Sequence, residues 1–149
     1  NRIQLDELRK QCIELQNQKI KIISIVGIAG TTETGNVDPL DELAEIAREF
    51  KAHFHVDAAW GGPTLFSRQN KHLLKGLEKA DSVPLDAHKQ LYVPMGAGLV
   101  LFKDPAATDG TVEEGFVFLS FFNISSVACN ALIQTCIEFI GKQRQCERE

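Results

Sequence analysis

Asp57 and Lys89 are the two residues around which a chemistry could be assembled. Asp57 stands between Val56 and Ala58 in the apolar stretch "HFHVDAAWGG", where a carboxylate needs a cation or hydrogen-bond donors to offset its desolvation. Lys89 follows His88 in "PLDAHKQ", 32 residues downstream. A lysine withdrawn from water loses its proton more readily and becomes an amine nucleophile. Taken singly, Asp57 reads equally as a helix cap or a core-edge ion pair, and Lys89 as a solvated surface cation. Taken together, an amine and a carboxylate facing two ends of one flat ligand are what pyridoxal 5'-phosphate requires: the lysine bonds to the aldehyde carbon, the carboxylate pairs with the pyridinium nitrogen, and the protonated ring becomes an electron sink.

Small residues follow Asp57. Ala59, Gly61 and Gly62 would let a planar ring approach the backbone closely, although turn formation explains the glycines equally well. His88 is a candidate for contact with the cofactor phosphate or for proton transfer, and equally a packed structural histidine. His53 and His55 alternate with Phe54 and Val56 and read as markers of sheet facing. His72 reads as a solvated helix residue. The four histidines suggest no metal constellation.

These residues need a scaffold that brings them to one edge. The near-continuous apolar run "KIISIVGIAG" has the pattern of a strand covered on both faces of a parallel sheet. It is preceded by an amphipathic helical pattern over residues 3–18, with Ile3, Leu5, Leu8, Cys12, Ile13 and Leu15 as its apolar positions. The segment "TTETGNVDPLDELAEIAREF" turns and then starts a helix with Pro39 in its first turn and acidic residues behind it. A second strand, "AHFHVDAAWGG", leads to a helix predicted near "NKHLLKGLEKA" and then to a third strand, "DSVPLDAH". This βαβαβ order predicts an α/β fold, a mostly parallel open sheet with helices on both faces. "GAGLVLFKD" follows too soon for a helical crossover and is predicted to be an antiparallel strand. Ligands of such sheets bind beyond the carboxyl ends of the parallel strands. That edge would collect Gly30, Thr31 and Thr32 from the first strand, Asp57 to Ala59 from the second, and Asp86, His88 and Lys89 from the third.

The formal charge of −4 and the charged fraction of 24% are those of an ordinary globular protein without basic clusters, which argues against a nucleic-acid partner. Cys12, Cys129, Cys136 and Cys146 form no CxxC pair, so they read as free or buried thiols. The charged opening "NRIQLDELRKQ" has no apolar core of a secretory signal, so the expected setting is cytoplasmic. Residues 116–141 form an apolar tract of 26 residues with one charge, Glu138. Its interspersed serines, asparagines and glutamine argue for a strand and a packed helix rather than a membrane span.

The stretches "GIAGTTETGNVDPLDELAEIA", "HFHVDAAWGGP", "HLLKGLEKADSV" and "DAHKQLYVPMGAGLVLFKDP", in this order and spacing, resemble the group II pyridoxal-phosphate-dependent amino-acid decarboxylases. Within that family they look most similar to the bacterial L-2,4-diaminobutyrate and glutamate decarboxylase-like branch. The resemblance spans about residues 18–105. It implies the large domain of the aspartate aminotransferase type, so that residues 1–104 would form part of a cofactor-binding domain and residues 105–149 a separate tail. It further implies that Lys89 forms the internal aldimine, Asp57 binds the ring nitrogen, Ala59 lies against the ring, Thr32 contacts the cofactor near its reactive face, and His88 sits by the phosphate and the reactive carbon. Asp86 stands where several members of the family have asparagine near the phosphate, and Pro84 and Ala87 depart from the family's commoner residues. The implied reaction releases carbon dioxide from an amino-acid substrate and leaves an amine, normally in a homodimer. Because the family's enzymes are considerably longer, the alternative is a truncated cofactor-binding or dimerising module. Transamination and aldol cleavage remain alternative outcomes on the same scaffold.

Overall fold

The computed structural model describes residues 2–93 and 98–104 and the backbone of residues 116–117. Helix α1 (Leu5–Asn17) precedes strand β1 (Ser24–Ile28), helix α2 (Leu40–Glu49) and strand β2 (His53–Asp57); strands β3 (Ser82–Asp86), β4 (Gly98–Phe102) and β5 (Phe116–Val117) complete the order. The strands lie side by side in chain order. β1, β2 and β3 run parallel, with Ser24 opposite His53 and Ile28 opposite Asp57 in the first pair. β4 is antiparallel to β3, as its short connection predicts, and β5 is antiparallel to β4. The helix expected in the apolar tract of residues 116–141 lies outside the described residues.

The core forms where α2 lies on β1 and β2. Leu40, Leu43 and Ile46 from the helix and Val56 from the sheet are fully buried, with Ile25 and Phe54 beside them. Apolar residues three and four apart give α2 one continuous buried stripe. α1 joins this layer through Cys12, the one described cysteine, which is buried and free, and through Ile3, Leu5 and Leu8. Burial pushes the Cys12 thiol pKa up, with a smaller push from the Glu49 charge. Ile13 and Leu15, expected on the apolar side of α1, are exposed instead, because the helix meets the core only along its Leu5, Leu8 and Cys12 edge. The turn between β1 and α2 is pinned by Asp38, whose carboxylate accepts the backbone N–H groups of Ile3 at 3.0 Å and Ile28 at 2.9 Å.

Two expectations fail, each for a tertiary reason. The helix predicted near "NKHLLKGLEKA" is instead a succession of short 3-10 turns at Gly62–Phe66, Lys71–Leu74 and Leu77–Lys79. Gly76 interrupts the segment at φ 96°, and a Cβ there would lie 2.3 Å from the backbone nitrogen of Asp41. The chain crosses the start of α2 backbone against backbone, which a regular helix with its sheath of side chains could not do. Leu74 and Leu77 still reach the core. Lys75, at 2.8 Å, and Lys79 clasp Asp41 from this crossing, and the Lys75 hydrogen bond, ahead of that of Lys79, lowers the Asp41 pKa to about 2. His72 is exposed as expected, though in a 3-10 turn rather than a helix.

The second failure concerns β1, predicted to be covered on both faces. Its burial alternates, with Ile25 and Gly27 inside and Val26 and Ile28 exposed. Both described α-helices lie on one side of the sheet, so among the described residues only that face of β1 has a layer to pack against.

Candidate active site

Successive strand residues point to opposite faces, and the register determines which residues share one. Ser24, Val26 and Ile28 of β1 lie beside His53, His55 and Asp57 of β2. His55 is paired with Ser82, which puts Ser82, Pro84 and Asp86 of β3 on the same face. Both candidate carboxylates, Asp57 and Asp86, therefore stand at the carboxyl ends of neighbouring parallel strands on the face opposite the helices. The β2–β3 pairing is confined to His55 and Ser82, and Pro84, lacking an N–H, has no donor with which to extend it.

Asp57 is exposed at its strand end, and its Oδ1 accepts the Ala59 N–H at 3.0 Å. That contact turns the chain sharply after the strand and fixes the carboxylate's direction, leaving its second oxygen without a hydrogen bond among the described residues. The turn runs into a close backbone approach: a Cβ on Gly61 would lie 2.1 Å from the carbonyl oxygen of Ala29. The first and second strand ends therefore meet with no side chain between them. Gly30 and Thr31 donate their N–H groups to the Asn36 carbonyl at 3.1 and 3.0 Å. The Thr31 hydroxyl lies 2.8 Å from that of Thr34 and accepts the Asn36 N–H at 3.1 Å. Thr31 thus closes the loop, and its neighbour Thr32 is left exposed at the edge.

The third strand end is docked onto the second. Asp86 donates its backbone N–H to the Ala59 carbonyl at 3.3 Å, and the following turn closes when Lys89 donates its own N–H to the Asp86 carbonyl at 3.1 Å. The Asp86 carboxylate then meets the Lys89 ammonium at 2.8 Å. Lys89, Asp86 and His88 are all half-buried. The structure thus brings Asp57, Ala59, Asp86, His88 and Lys89 onto two chain segments tied by a hydrogen bond, with Thr32 on the adjoining loop.

A feature not anticipated from sequence lies on the same face. The Ser82 hydroxyl, buried at the start of β3, is 2.7 Å from both His53 Nε2 and His55 Nδ1. Burial lowers the His55 pKa, partly opposed by the Asp57 charge. The His-x-His spacing indicates that both rings share a face; the serine between them comes from another strand. Nor does the sequence single out Asp81, whose Oδ2 accepts the Phe54 N–H at 2.8 Å and so aligns β3 with β2.

The donor set fits pyridoxal phosphate. An oriented carboxylate with an open oxygen, a small residue beside it, a backbone crossing free of side chains, and an amine on the docked neighbouring turn are the elements that the cofactor needs. Among the described residues no group of three or more histidine, cysteine or acidic side chains could hold a metal ion.

Comparison with known proteins agrees with this reading. Residues 1–139 match the pyridoxal-dependent decarboxylase conserved domain. The chain is 60% identical over 105 residues to an aspartate 1-decarboxylase of Aliivibrio fischeri, covering 70% of this chain and 19% of that protein. It is 42% identical over 62 residues to the cysteine sulfinic acid decarboxylase of Mus musculus, covering 42% of this chain and 13% of that protein. Among solved structures it resembles the glutamate decarboxylase domain of the diaminobutyrate-pyruvate transaminase and L-2,4-diaminobutyrate decarboxylase from Vibrio parahaemolyticus, with a TM-score of 0.71 and 31% identity over 76% of this chain and 24% of that one. The chain spans about a fifth of the length of the aspartate decarboxylase it matches. By the extent of the domain match and the agreement of fold, the chain belongs to the pyridoxal-dependent decarboxylase family.

Proposed function

We propose that the chain carries the cofactor-holding core of a pyridoxal-phosphate-dependent amino-acid decarboxylase. In this reading Lys89 would hold the cofactor through its aldehyde carbon, Asp57 would pair with the ring nitrogen through the oxygen that has no hydrogen bond among the described residues, and Ala59 would lie against the ring. Thr32 and His88 approach the reactive face and the phosphate, with Asp86 beside them. The observation that carries the proposal is the Asp86 N–H donated to the Ala59 carbonyl, which docks the lysine turn on the aspartate strand end. Bound pyridoxal phosphate would supply an electron sink for the pair released when a substrate α-carboxylate departs as carbon dioxide. Asp57 contributes by keeping the ring nitrogen protonated, since an adjacent carboxylate favours the charged form of a base.

The substrate is an amino acid. L-aspartate is the first to test, because 60% identity links the chain to an enzyme named for that reaction. A homodimer, a cytoplasmic setting and the division into residues 1–104 and 105–149 belong to the same reading. In its support, no described helix is long and apolar enough to cross a membrane, and Val26 and Ile28 offer apolar surface to a further layer or subunit.

The test is to incubate the purified chain with pyridoxal phosphate, reduce with borohydride and map the modified residue by mass spectrometry. A reduced adduct at Lys89 is expected; its absence, with labelling elsewhere or none, overturns the assignment of the lysine. Release of carbon dioxide from L-aspartate and other amino acids then separates decarboxylation from transamination, aldol cleavage and simple binding.

A further inference from the structure

We infer that Asp86 is a positioning residue that latches the Lys89 side chain and restrains its nitrogen until a ligand displaces the contact. This rests on the reading of Lys89 as the cofactor lysine. The geometry is local and specific. The turn is closed by the Lys89 N–H on the Asp86 carbonyl at 3.1 Å, so the two side chains leave one short turn on the same side and meet at 2.8 Å. Asp86 is itself held, since its N–H is bound to the Ala59 carbonyl and its residue pairs with Gly98 of β4. A Cβ on Gly98 would lie 3.0 Å from Asp86 Oδ1. The glycine therefore leaves the carboxylate room in the orientation that meets the lysine.

The chemical consequence concerns the nitrogen lone pair. A nitrogen held against a carboxylate has to leave that contact before its lone pair can reach a carbonyl carbon. Asp86 thus sets the direction of the Lys89 side chain and holds its nitrogen in a contact that an incoming carbonyl group must displace. Asparagine at this position would keep the size and lose the charge.

The experiment uses the full chain without cofactor and an amine-specific reagent, trinitrobenzenesulfonate, with site-by-site rates from mass spectrometry. At low salt, Asp86→Asn is expected to speed modification of Lys89 by about 2- to 5-fold, the range of a partly exposed ion pair, while Lys75, paired with Asp41, keeps its rate. Raising the salt to about 1 M is expected to close the gap by screening the pair in the parent chain. Asp86→Glu, which retains the charge, is expected to restore slow modification. Equal Lys89 rates in the parent and Asp86→Asn chains at low salt overturn the latch. So does acceleration of Lys75 alongside Lys89, which reports general loosening. Because the reagent is not the cofactor, equal modification rates would overturn the latch without bearing on borohydride trapping of the parent chain at Lys89, and the two readings fail separately.

Discussion

On the face of the sheet turned toward α1 and α2, Ile25, Phe54, Val56, Val83, Leu85 and Leu99 are buried, whereas the same strands present Val26, Ile28 and Asp57 to solvent on the other. The helix side is apolar and closely packed, and Gly27 is the small residue that lets Leu40 and Leu43 press onto β1. The opposite side carries Asp57, Asp86, His53, His55 and Ser82. One consequence is a division of labour by strand parity. Alternate residues supply the burial that stabilises the sheet, and those between them, exposed or half-buried for the most part among the described residues, hold the ionisable groups.

The largest expected break in this comparison is Leu43→Ala. Removing a fully buried side chain from α2 should cost about 2 to 5 kcal/mol, read as a lower urea midpoint with unchanged slope. A cost below about 1 kcal/mol would mean that the helix layer is not what holds the sheet.

A smaller effect, which sharpens the contrast, is expected from the open face. The His55 pKa is lowered in the folded chain, chiefly by burial, so the unfolded chain binds more protons below its ordinary value of about 6.5. The associated stability is complete above that pH and is lost as the pH falls through the window beneath it. Urea unfolding between pH 7.5 and pH 5 should show this decline in the parent chain and a shallower one in His55→Gln; parallel profiles would remove His55 as the cause. The smallest effect should come from Val26→Thr, which changes an exposed, β-branched position and should move stability by less than about 0.5 kcal/mol. A loss approaching that of Leu43→Ala would show Val26 to be covered in solution.

Much of this was legible beforehand, for reasons particular residues make plain. The strand runs ending at Gly30, Asp57 and Asp86 announced themselves by β-branched and alternating residues, and the short connection to "GAGLVLFKD" predicted an antiparallel partner. The arrival of Asp57 and Lys89 at neighbouring strand ends was legible because parallel strands deliver their carboxyl ends to one edge whatever their contents. The 3-10 turns were not, because Leu73, Leu74 and Leu77 keep a helix-like spacing while the close crossing at Gly76 depends on the position of α2. Nor was Ser82 legible as the bridge between two histidines, since that contact joins residues 27 and 29 positions apart.

The sequence by itself determined the order of the strands, the apolar parity of β2 and the presence of an amine and a carboxylate at neighbouring strand ends. These follow from local periodicity and chain connectivity, which residue types encode directly. Tertiary structure alone decided that β1 is covered on one face, that the segment after β2 breaks into turns, that Asp57 is aimed by the Ala59 N–H, and that Lys89 is held by Asp86. Such outcomes depend on which surfaces and backbone groups meet in space, and a hydrogen bond or ion pair is sensitive to separations of tenths of an ångström that no spacing along the chain specifies.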